Sequence, residues 1–329
     1  MPKIVRFYET GGPEVLKIEE SPLMEPGVGE VRLKVEAIGL NRAEVMFRQG
    51  QYLENPTFPS RLGYEAAGVV DAIGPGTVGI NIGDRVSTIP SFSIGTYGVY
   101  GESAVVPAYA AAHYPEKLSP VEGAAIWMQY LTAFGALIEF GKLQKDDTVL
   151  ITAASSSVGL AAIQIAKSVG ATAIAITRGA DKKSFLMEAG ADHVIATDEQ
   201  DLVESVMAIT SGKGAEMAFD PIAGAMLGEL AGAAAPGATI FEYGALSSAP
   251  TTFPLFSALA KGLTVRGYTL FEIAKNAESL ARGKQFIYNG LENGVLKPVI
   301  DRVFPLESIV EAHRYMESNR QKGKIVVQV

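Results

Sequence analysis

The feature that most constrains this chain is a stretch without charged side chains, residues 148–166. It opens with an apolar run over 148–152, continues through an Ala- and Ser-rich segment over 153–157, and takes a helical pattern over 158–169. The stretch is long enough to cross a bilayer, but three serines and two threonines make its first half too polar for that. A buried strand, a tight loop and a buried helix are therefore predicted here.

The same alternation continues along the middle of the chain. Further strands are predicted at 173–177, 194–196, 215–219 and 239–243, and helical patterns cover 121–140 and 182–189. Strands that alternate with helices need crossover connections, which place helices on both faces of a parallel sheet. The predicted fold class is α/β, with a doubly wound parallel sheet.

The two chain ends have a different character. Apolar and polar residues alternate strictly over 31–37, and glycine and proline turn signals recur at 25–27, 73–76 and 81–84, as in a compact β domain. An amphipathic helix is predicted at 307–317, followed by a strand at 324–329 that we expect to pair with this first domain.

Composition narrows the function classes. The length of 329 residues fits two domains, and 48% hydrophobic with 19% charged residues is ordinary for a folded protein. A net charge of −8 argues against nucleic acid as a partner, and the absence of cysteine removes disulfides and thiolate metal sites. The first residues lack a signal-peptide core, so a cytoplasmic protein without a membrane span is expected.

The loop before the predicted helix has the context of a dinucleotide-binding fingerprint. In such loops glycines let the backbone approach a pyrophosphate at the helix N-terminus. Here Gly159 remains, while Ser156 and Ser157 stand where glycines are usual. Serine is small and caps helices well, so a Ser-rich cap without a ligand is the alternative interpretation.

The residues at the end of the next predicted strand distinguish a site for NAD from a site for NADP(H). An acidic residue there would bind the ribose hydroxyls of NAD, but this chain has Thr177 and Arg178, with Lys182 close behind. An arginine fork suits a 2′-phosphate, which favours NADP(H). The alternative is an ordinary solvated basic loop.

Several motifs together resemble the medium-chain dehydrogenase/reductase superfamily, specifically its zinc-free quinone oxidoreductase branch. They lie at residues 39–44, 50–52, 62–70, 83–86, 130–133, 190–195 and 323–326, in addition to the loop over 153–157, which we call the serine loop. The resemblance implies a GroES-like, β-rich substrate domain formed by residues 1–122 and 268–329, and a Rossmann NADP(H)-binding domain over 123–267. It also implies that nicotinamide and substrate bind in a cleft between domains.

The resemblance also implies roles for individual residues. Thr132 would lie near the nicotinamide, the backbone of residues 244–246 would meet its carboxamide, and Lys324 would approach the phosphates. The complete expected cofactor-binding set is Asn41, Thr132, Ser156, Ser157, Val158, Gly159, Thr177, Arg178, Lys182, Gly244, Ala245, Leu246 and Lys324.

Zinc is not expected. The resemblance implies that zinc-binding members carry a Cys in the segment corresponding to 39–41 and a His in that corresponding to 63–65, where this chain has Asn41 and Tyr64. The remaining Glu65 cannot form a three-ligand site by itself. The three histidines, His113, His193 and His313, show no ligand spacing and are expected to have surface or packing roles.

Without a Lewis acid, electron-poor acceptors become the logical substrates, because hydrogen-bond donors alone can assist hydride delivery to them. The candidate catalytic residues are Asn41, Tyr52 and Tyr64, which offer amide and hydroxyl donors and aromatic faces. The alternative gives Asn41 a local turn hydrogen bond and the tyrosines a packing role.

The sequence thus predicts an NADPH-dependent reductase of quinones or similar conjugated carbonyls. An alkenal or enoyl double-bond reductase and a non-catalytic, crystallin-like NADPH-binding protein remain the alternatives. An exposed edge strand at 263–267 and the family resemblance favour a homodimer.

Overall fold

The computed structural model describes all residues, 1–329, and the chain divides into two compact units. One unit comprises Met1–Met128 and Pro298–Val329, and the other comprises Gln129–Lys297. These divisions fall at 128/129 and 297/298, whereas the sequence-based boundaries were 122/123 and 267/268. Residues 268–297, which carry the long helix Ala277–Glu292, belong to the second unit.

Fifteen strands and twelve α-helices follow one another along the chain. The strands are β1 (Lys3–Arg6), β2 (Lys17–Glu20), β3 (Glu30–Gly39), β4 (Glu65–Ile73), β5 (Arg85–Thr88), β6 (Ser103–Pro107), β7 (Ala111–His113), β8 (Thr148–Ile151), β9 (Thr172–Thr177), β10 (His193–Ala196), β11 (Ala215–Asp220), β12 (Ala234–Glu242), β13 (Thr264–Gly267), β14 (Ile300–Pro305) and β15 (Lys324–Gln328). The helices are α1 (Arg42–Arg48), α2 (Ile94–Tyr97), α3 (Pro120–Gly123), α4 (Trp127–Phe134), α5 (Ser157–Val169), α6 (Lys183–Glu188), α7 (Leu202–Ile209), α8 (Met226–Ala233), α9 (Leu255–Lys261), α10 (Phe271–Ala274), α11 (Ala277–Glu292) and α12 (Ile309–Glu317).

The first unit is built on a seven-stranded, mostly antiparallel sheet. Its order is β14-β15-β3-β4-β5-β7, with β6 also paired to β3, and a separate pair is formed by β1 and β2. The C-terminal strand β15 pairs antiparallel with β3, with Val326 opposite Gly39. The prediction that the chain end returns to the first domain is confirmed.

The second unit contains a six-stranded sheet in the order β10-β9-β8-β11-β12-β13. All its pairings are parallel. Renumbered from β8, this order is 3-2-1-4-5-6, the Rossmann arrangement, and the strand order reverses between β8 and β11. The predicted fold class, a doubly wound parallel-sheet domain and a GroES-like β-rich domain in one chain, is confirmed. The apolar strand faces pack on buried helical residues of α7 and α8, such as Val206 and Leu230.

The helical pattern predicted over 121–140 is interrupted. Ser119 caps α3, the chain leaves the helical path after Gly123, α4 follows, and residues Gly135–Phe140 form a π-helix. The helical stretch Pro120–Phe140 is long and apolar enough to cross a membrane by composition alone, but 78% of its apolar window is buried within the protein, as in a core helix.

Candidate active site

The serine loop lies between β8 and α5, as predicted. Ser156 is the N-cap of α5, and its Oγ accepts a hydrogen bond from the Gly159 amide over 3.0 Å. A Cβ at Gly159 would lie 2.6 Å from the Ala154 carbonyl oxygen, so only glycine allows the helix to start this close to the loop. Ala153 has a φ of 44°, which makes the turn tight. Ser157 and Val158 form the first turn of α5, where free amides can bind an anion.

Two cations accompany this loop. The Nζ of Lys182 donates to Ser155 Oγ over 3.0 Å, which places its ammonium at the carboxyl end of β8. Thr177 ends β9, and the exposed Arg178 follows it directly. The second unit therefore carries positive side chains where an NAD-specific site would have a carboxylate.

A third loop of the second unit borders the ends of β11 and β12. Asp220 accepts hydrogen bonds from the Ile222 and Ala223 amides over 3.1 and 2.7 Å and from the Thr152 hydroxyl. The Leu246 amide donates to the Pro221 carbonyl over 2.9 Å. This fixes the loop of Gly244, Ala245 and Leu246, of which the last two are exposed. Thr132 lies in α4 and is buried.

Sequence reasoning missed the acidic groups beneath this loop. Asp220 and Glu242 are register partners on β11 and β12, and neither oxygen of the Glu242 carboxylate has a hydrogen-bond partner. Burial, reinforced by the Asp220 carboxylate, raises the pKa of Glu242 to about 8. The signal was present in the sequence, because Asp220 directly follows the predicted strand 215–219 and Glu242 lies near the end of the predicted strand 239–243.

The first unit contains a buried cluster of four polar side chains, which we call the Lys324 cluster. Its members are Asn41, Glu44, Glu65 and Lys324, and none is more than 7% exposed. Asn41 caps α1 and forms a capping box with Glu44. Lys324 Nζ donates to Asn41 Oδ1 over 2.6 Å and to Glu65 Oε2 over 2.5 Å. Burial, opposed by the Lys324 charge, raises the pKa of Glu44 to about 7.

The candidate catalytic tyrosines are neighbours in the same unit. The rings of Tyr52 and Tyr64 meet edge to face, with 6.3 Å between centroids, and Phe92 lies 5.8 Å from Tyr64. Tyr64 is 1% exposed, whereas Tyr52 is half-buried. Burial raises the pKa of both phenols, that of Tyr52 to about 12, so both carry their protons at neutral pH.

The expected cofactor residues thus fall into two groups. The serine loop, Thr177, Arg178, Lys182, Thr132 and residues 244–246 belong to the second unit, and Asn41 and Lys324 belong to the first. The Lys324 side chain is 0% exposed and engaged with Asn41 and Glu65. A contact between Lys324 and cofactor phosphates stays a prediction, and it would require the ammonium to leave this cluster.

The residues at the family's zinc positions do not fit a metal. The Asn41 amide and the Glu65 carboxylate are already bound within the Lys324 cluster, and Tyr64 is a neutral phenol. No group of three or more His, Asp or Glu side chains has metal-binding geometry.

The histidines lie apart. His113 pairs with Asp84 over 3.0 Å on the surface, and His193 is exposed at the start of β10. His313 is buried against Tyr100. Burial lowers the pKa of His313 to about 3.

The second unit is a Rossmann domain with Arg178 and Lys182 near the expected 2′-phosphate position. The first unit is a GroES-like domain with the aromatic residues Tyr52, Tyr64 and Phe92, which we call the aromatic wall. Together these features define a two-domain dehydrogenase or reductase. Residues 27–116 match the alcohol dehydrogenase GroES-like domain family, and residues 157–283 match the zinc-binding dehydrogenase family. The chain is 31% identical to human quinone oxidoreductase over 99% of its own length and 97% of that protein.

Solved structures agree with this assignment. The Escherichia coli quinone oxidoreductase complexed with NADPH has a TM-score of 0.91 and 29% identity, covering 99% of this chain and 100% of that one. An NAD-dependent alcohol dehydrogenase has the same TM-score and 34% identity, covering 99% of both chains. The chain belongs to the medium-chain dehydrogenase/reductase superfamily, in its quinone oxidoreductase branch, and it is an oxidoreductase.

Proposed function

We propose that this protein is a zinc-independent reductase that uses NADPH to reduce a quinone or a similar conjugated carbonyl. The observation that carries the cofactor choice is the pair of cations beside the serine loop. Lys182 is held at Ser155, and Arg178 follows β9 where an acidic residue would select NAD. A 2′-phosphate gains charge-assisted hydrogen bonds from such groups.

The proposed cofactor-binding residues are those predicted from the sequence, except Lys324, whose ammonium is bound by Asn41 and Glu65. The α5 N-terminus offers free amides behind the Ser156 cap, and Gly159 lets the loop approach closely. NADPH, when bound, supplies a hydride from C4 of its nicotinamide. The E. coli relative was solved with NADPH, which supports the same cofactor here.

The proposed acceptor side is the aromatic wall of Tyr52, Tyr64 and Phe92. Flat rings favour a planar acceptor, and a half-buried Tyr52 can donate its hydroxyl proton in a hydrogen bond to a carbonyl oxygen. A hydroxyl that stays protonated at neutral pH stabilises the negative charge that develops on that oxygen during hydride transfer. The name of the human relative supports a quinone as acceptor.

Two other functions use the same residues. A double-bond reductase of alkenals or enoyl thioesters would accept hydride at carbon while the same donors bind the carbonyl. A non-catalytic protein would bind NADPH without turnover. The half-buried ring of Tyr52 favours the quinone reductase, because it can pack against a planar molecule while the buried Tyr64 ring supports it edge to face.

The deciding experiment follows absorbance at 340 nm, as consumption of NADPH or NADH with quinones, enones and enals, and as formation of NADPH or NADH from the oxidised cofactors with simple alcohols. We expect NADPH-dependent turnover fastest on quinones and unchanged by a chelator. Fastest turnover on enals would favour the double-bond reductase, and binding without turnover on any acceptor would favour the non-catalytic protein. Chelator-sensitive alcohol oxidation would overturn the proposal.

The cofactor preference is tested by titration of both cofactors into wild type and Arg178→Ala. A hydrogen bond to a charged group contributes about 1.5–3 kcal/mol, so a roughly 10- to 100-fold loss of NADPH affinity is expected with little change for NADH. Lys213→Ala, at an exposed position, is the matched control. Equal losses for both cofactors would make residues 177–179 an ordinary loop.

We also propose a homodimer formed through β13. This strand ends the parallel sheet, and the neighbouring helix α9 exposes Leu255, Phe256 and Leu259 at 52%, 85% and 72%. Unpaired edge strands and clustered apolar side chains favour pairing with a second copy. Light scattering after size exclusion should give a dimer for wild type and a monomer for Phe256→Asp. A wild-type monomer at micromolar concentration would contradict the proposal.

A further inference from the structure

The most unusual charged group of the first unit is Lys324. Its side chain is 0% exposed, although a lysine pays a large desolvation cost unless it is paired. It stands at the start of β15, a few residues before the chain ends, and its ammonium reaches Asn41 and Glu65 from a distant part of the sequence. A buried ammonium that is bound by side chains from two separate elements indicates a specific structural role for Lys324.

The backbone makes room for this side chain. Gly39, at the end of β3, lies beneath it, and a Cβ at this position would come within 2.8 Å of Lys324 Cε and 1.9 Å of the Ala124 carbonyl oxygen. Any larger residue at 39 would displace the lysine stem. The path of Lys324 toward Asn41 therefore depends on the absence of one side chain.

Lys324 determines the orientation of the Asn41 amide. Because an ammonium can only donate, the atom of Asn41 that it contacts over 2.6 Å must be the carbonyl oxygen. The Asn41 Nδ2 then points to Glu65 Oε2 at 3.1 Å and to the Gly39 carbonyl at 3.2 Å. Both amide hydrogens are thus engaged inside the protein, and only the remaining lone pair of Oδ1 is left for a ligand.

The same cluster holds the backbone of Tyr64. The Glu44 carboxylate accepts hydrogen bonds from the backbone amide of Asn41 over 2.5 Å and from the backbone amide of Tyr64 over 3.1 Å. Glu65 also accepts from the Met128 amide over 2.9 Å, at the start of α4. Two carboxylates and one ammonium therefore join the loop before α1, the segment before β4 and Met128, all within the first unit.

We infer that Lys324 is a positioning residue, which fixes the Asn41 amide and the Glu65 carboxylate, and that it is not a ligand of cofactor phosphates. The inference rests on the proposed function only in that Tyr64 lies on its acceptor side and Asn41 is a candidate catalytic residue. Lys324 contacts neither reacting group. It acts by holding the segments that carry Asn41 and Tyr64 in one arrangement.

The charged and titratable groups that face Glu44 determine the pH range in which its carboxylate ionises. Lys324 provides the one positive charge and Glu65 a second negative charge. The buried Tyr64 and Tyr100 and the half-buried Tyr52 are neutral phenols whose charged forms Glu44 disfavours. Removal of the Lys324 charge makes the ionised form of Glu44 less favourable. Any activity that depends on ionised Glu44 should then require a higher pH.

The experiment compares wild type, Lys324→Met, Asn41→Ala and the double variant. If Lys324 acts through Asn41, both single variants lower kcat on the best acceptor at least tenfold, and the second substitution adds little to the first. NADPH affinity, measured by fluorescence titration, should stay within twofold of wild type in Lys324→Met. The pH profile of kcat should move to higher pH in this variant, and Lys213→Met should change none of these quantities.

A readout without turnover separates this inference from the proposed function. The side-chain amide resonances of Asn41, assigned by their loss in Asn41→Ala, should shift in Lys324→Met and not in Lys213→Met. This holds whether or not an acceptor is ever reduced. If Lys324→Met fails to fold because it strands a carboxylate, Lys324→Met with Glu65→Gln removes that charge and should still bind NADPH with wild-type affinity.

Three results would overturn the inference. A 10- to 100-fold loss of NADPH affinity that weakens in high salt would make Lys324 a phosphate ligand. Losses in kcat that multiply in the double variant would show that Lys324 does not act through Asn41. Unchanged Asn41 amide resonances in Lys324→Met would show that the ammonium does not orient the amide.

Discussion

The carbonyl oxygen of Ala154 lies so close to Gly159 that a Cβ at 159 would come within 2.6 Å of it. The Ala154 carbonyl carbon and Cα would lie at 2.7 Å, so backbone atoms would have to move rather than a flexible side chain. The residue that remains from the glycine fingerprint is therefore the one that sets the distance between the serine loop and α5.

Gly159→Ala should destabilise the protein by about 1–3 kcal/mol, because overpacking forces the backbone apart. NADPH affinity should fall as well, since the loop and the helix amides shift together. Gly228→Ala is the matched control, because Gly228 is an exposed helical glycine with nothing within 4 Å of a Cβ. That variant should gain about 0.5–1 kcal/mol. Denaturant unfolding and cofactor titration measure both effects, and equal behaviour of the two variants would contradict the packing argument.

Lys261 caps the end of α8, and its loss should destabilise the second unit. Its Nζ donates to the carbonyl oxygens of Ala231, Gly232 and Ala234 over 3.0, 2.6 and 2.9 Å. Lys261→Met leaves these carbonyls without their charged donor, which should cost about 1.5–3 kcal/mol in unfolding free energy. Lys213→Met should cost less than about 0.5 kcal/mol, as is usual for exposed positions. A loss of the same size in both variants would show that the cap adds nothing.

His313 should make the protein sensitive to acid. Burial lowers its pKa to about 3, against an ordinary value of 6.5, so the unfolded chain binds a proton that the folded chain does not. The stability contribution is complete above pH 6.5 and is lost as the pH falls toward 3, by at most about 5 kcal/mol for this shift. In His313→Phe this component of the pH dependence should disappear. Unfolding curves at several pH values would contradict this if both proteins lost stability in parallel.

Glu44 should make the free energy of unfolding depend on pH in the opposite direction to His313. Its pKa of about 7 lies above the ordinary 4.5, so the folded chain binds the extra proton. The contribution is complete below pH 4.5 and is lost as the pH rises through 7, by about 3 kcal/mol. Glu44→Gln should therefore gain stability relative to wild type as the pH rises from 5 to 8. A constant difference between the two proteins across this range would show that Glu44 does not titrate there.

The fold was readable from the sequence because it depends on periodic patterns. The apolar run at 148–152 and the strand pattern at 215–219, separated by helical patterns, predict a parallel sheet with helices on both faces. The strict alternation of apolar and polar residues over 31–37 likewise predicts a strand with one solvent-exposed face. The predicted elements match β8, β9, β11 and α5 to within one or two residues at their ends, whereas β12 begins five residues before the predicted start at Thr239.

The sequence by itself also determined the character of the candidate site in the second unit. Ser156 and Gly159 lie between β8 and the first turn of α5, and Arg178 and Lys182 directly follow β9, so their proximity follows from local order. What only the tertiary structure decided is the Lys324 cluster. Asn41, Glu65 and Lys324 come from three elements far apart in the chain, and β15 has to pair with β3 before the ammonium can reach Asn41. Periodicity and spacing report the face on which a residue lies, but not which distant charge shares its burial, because that depends on strand pairing across the whole sheet.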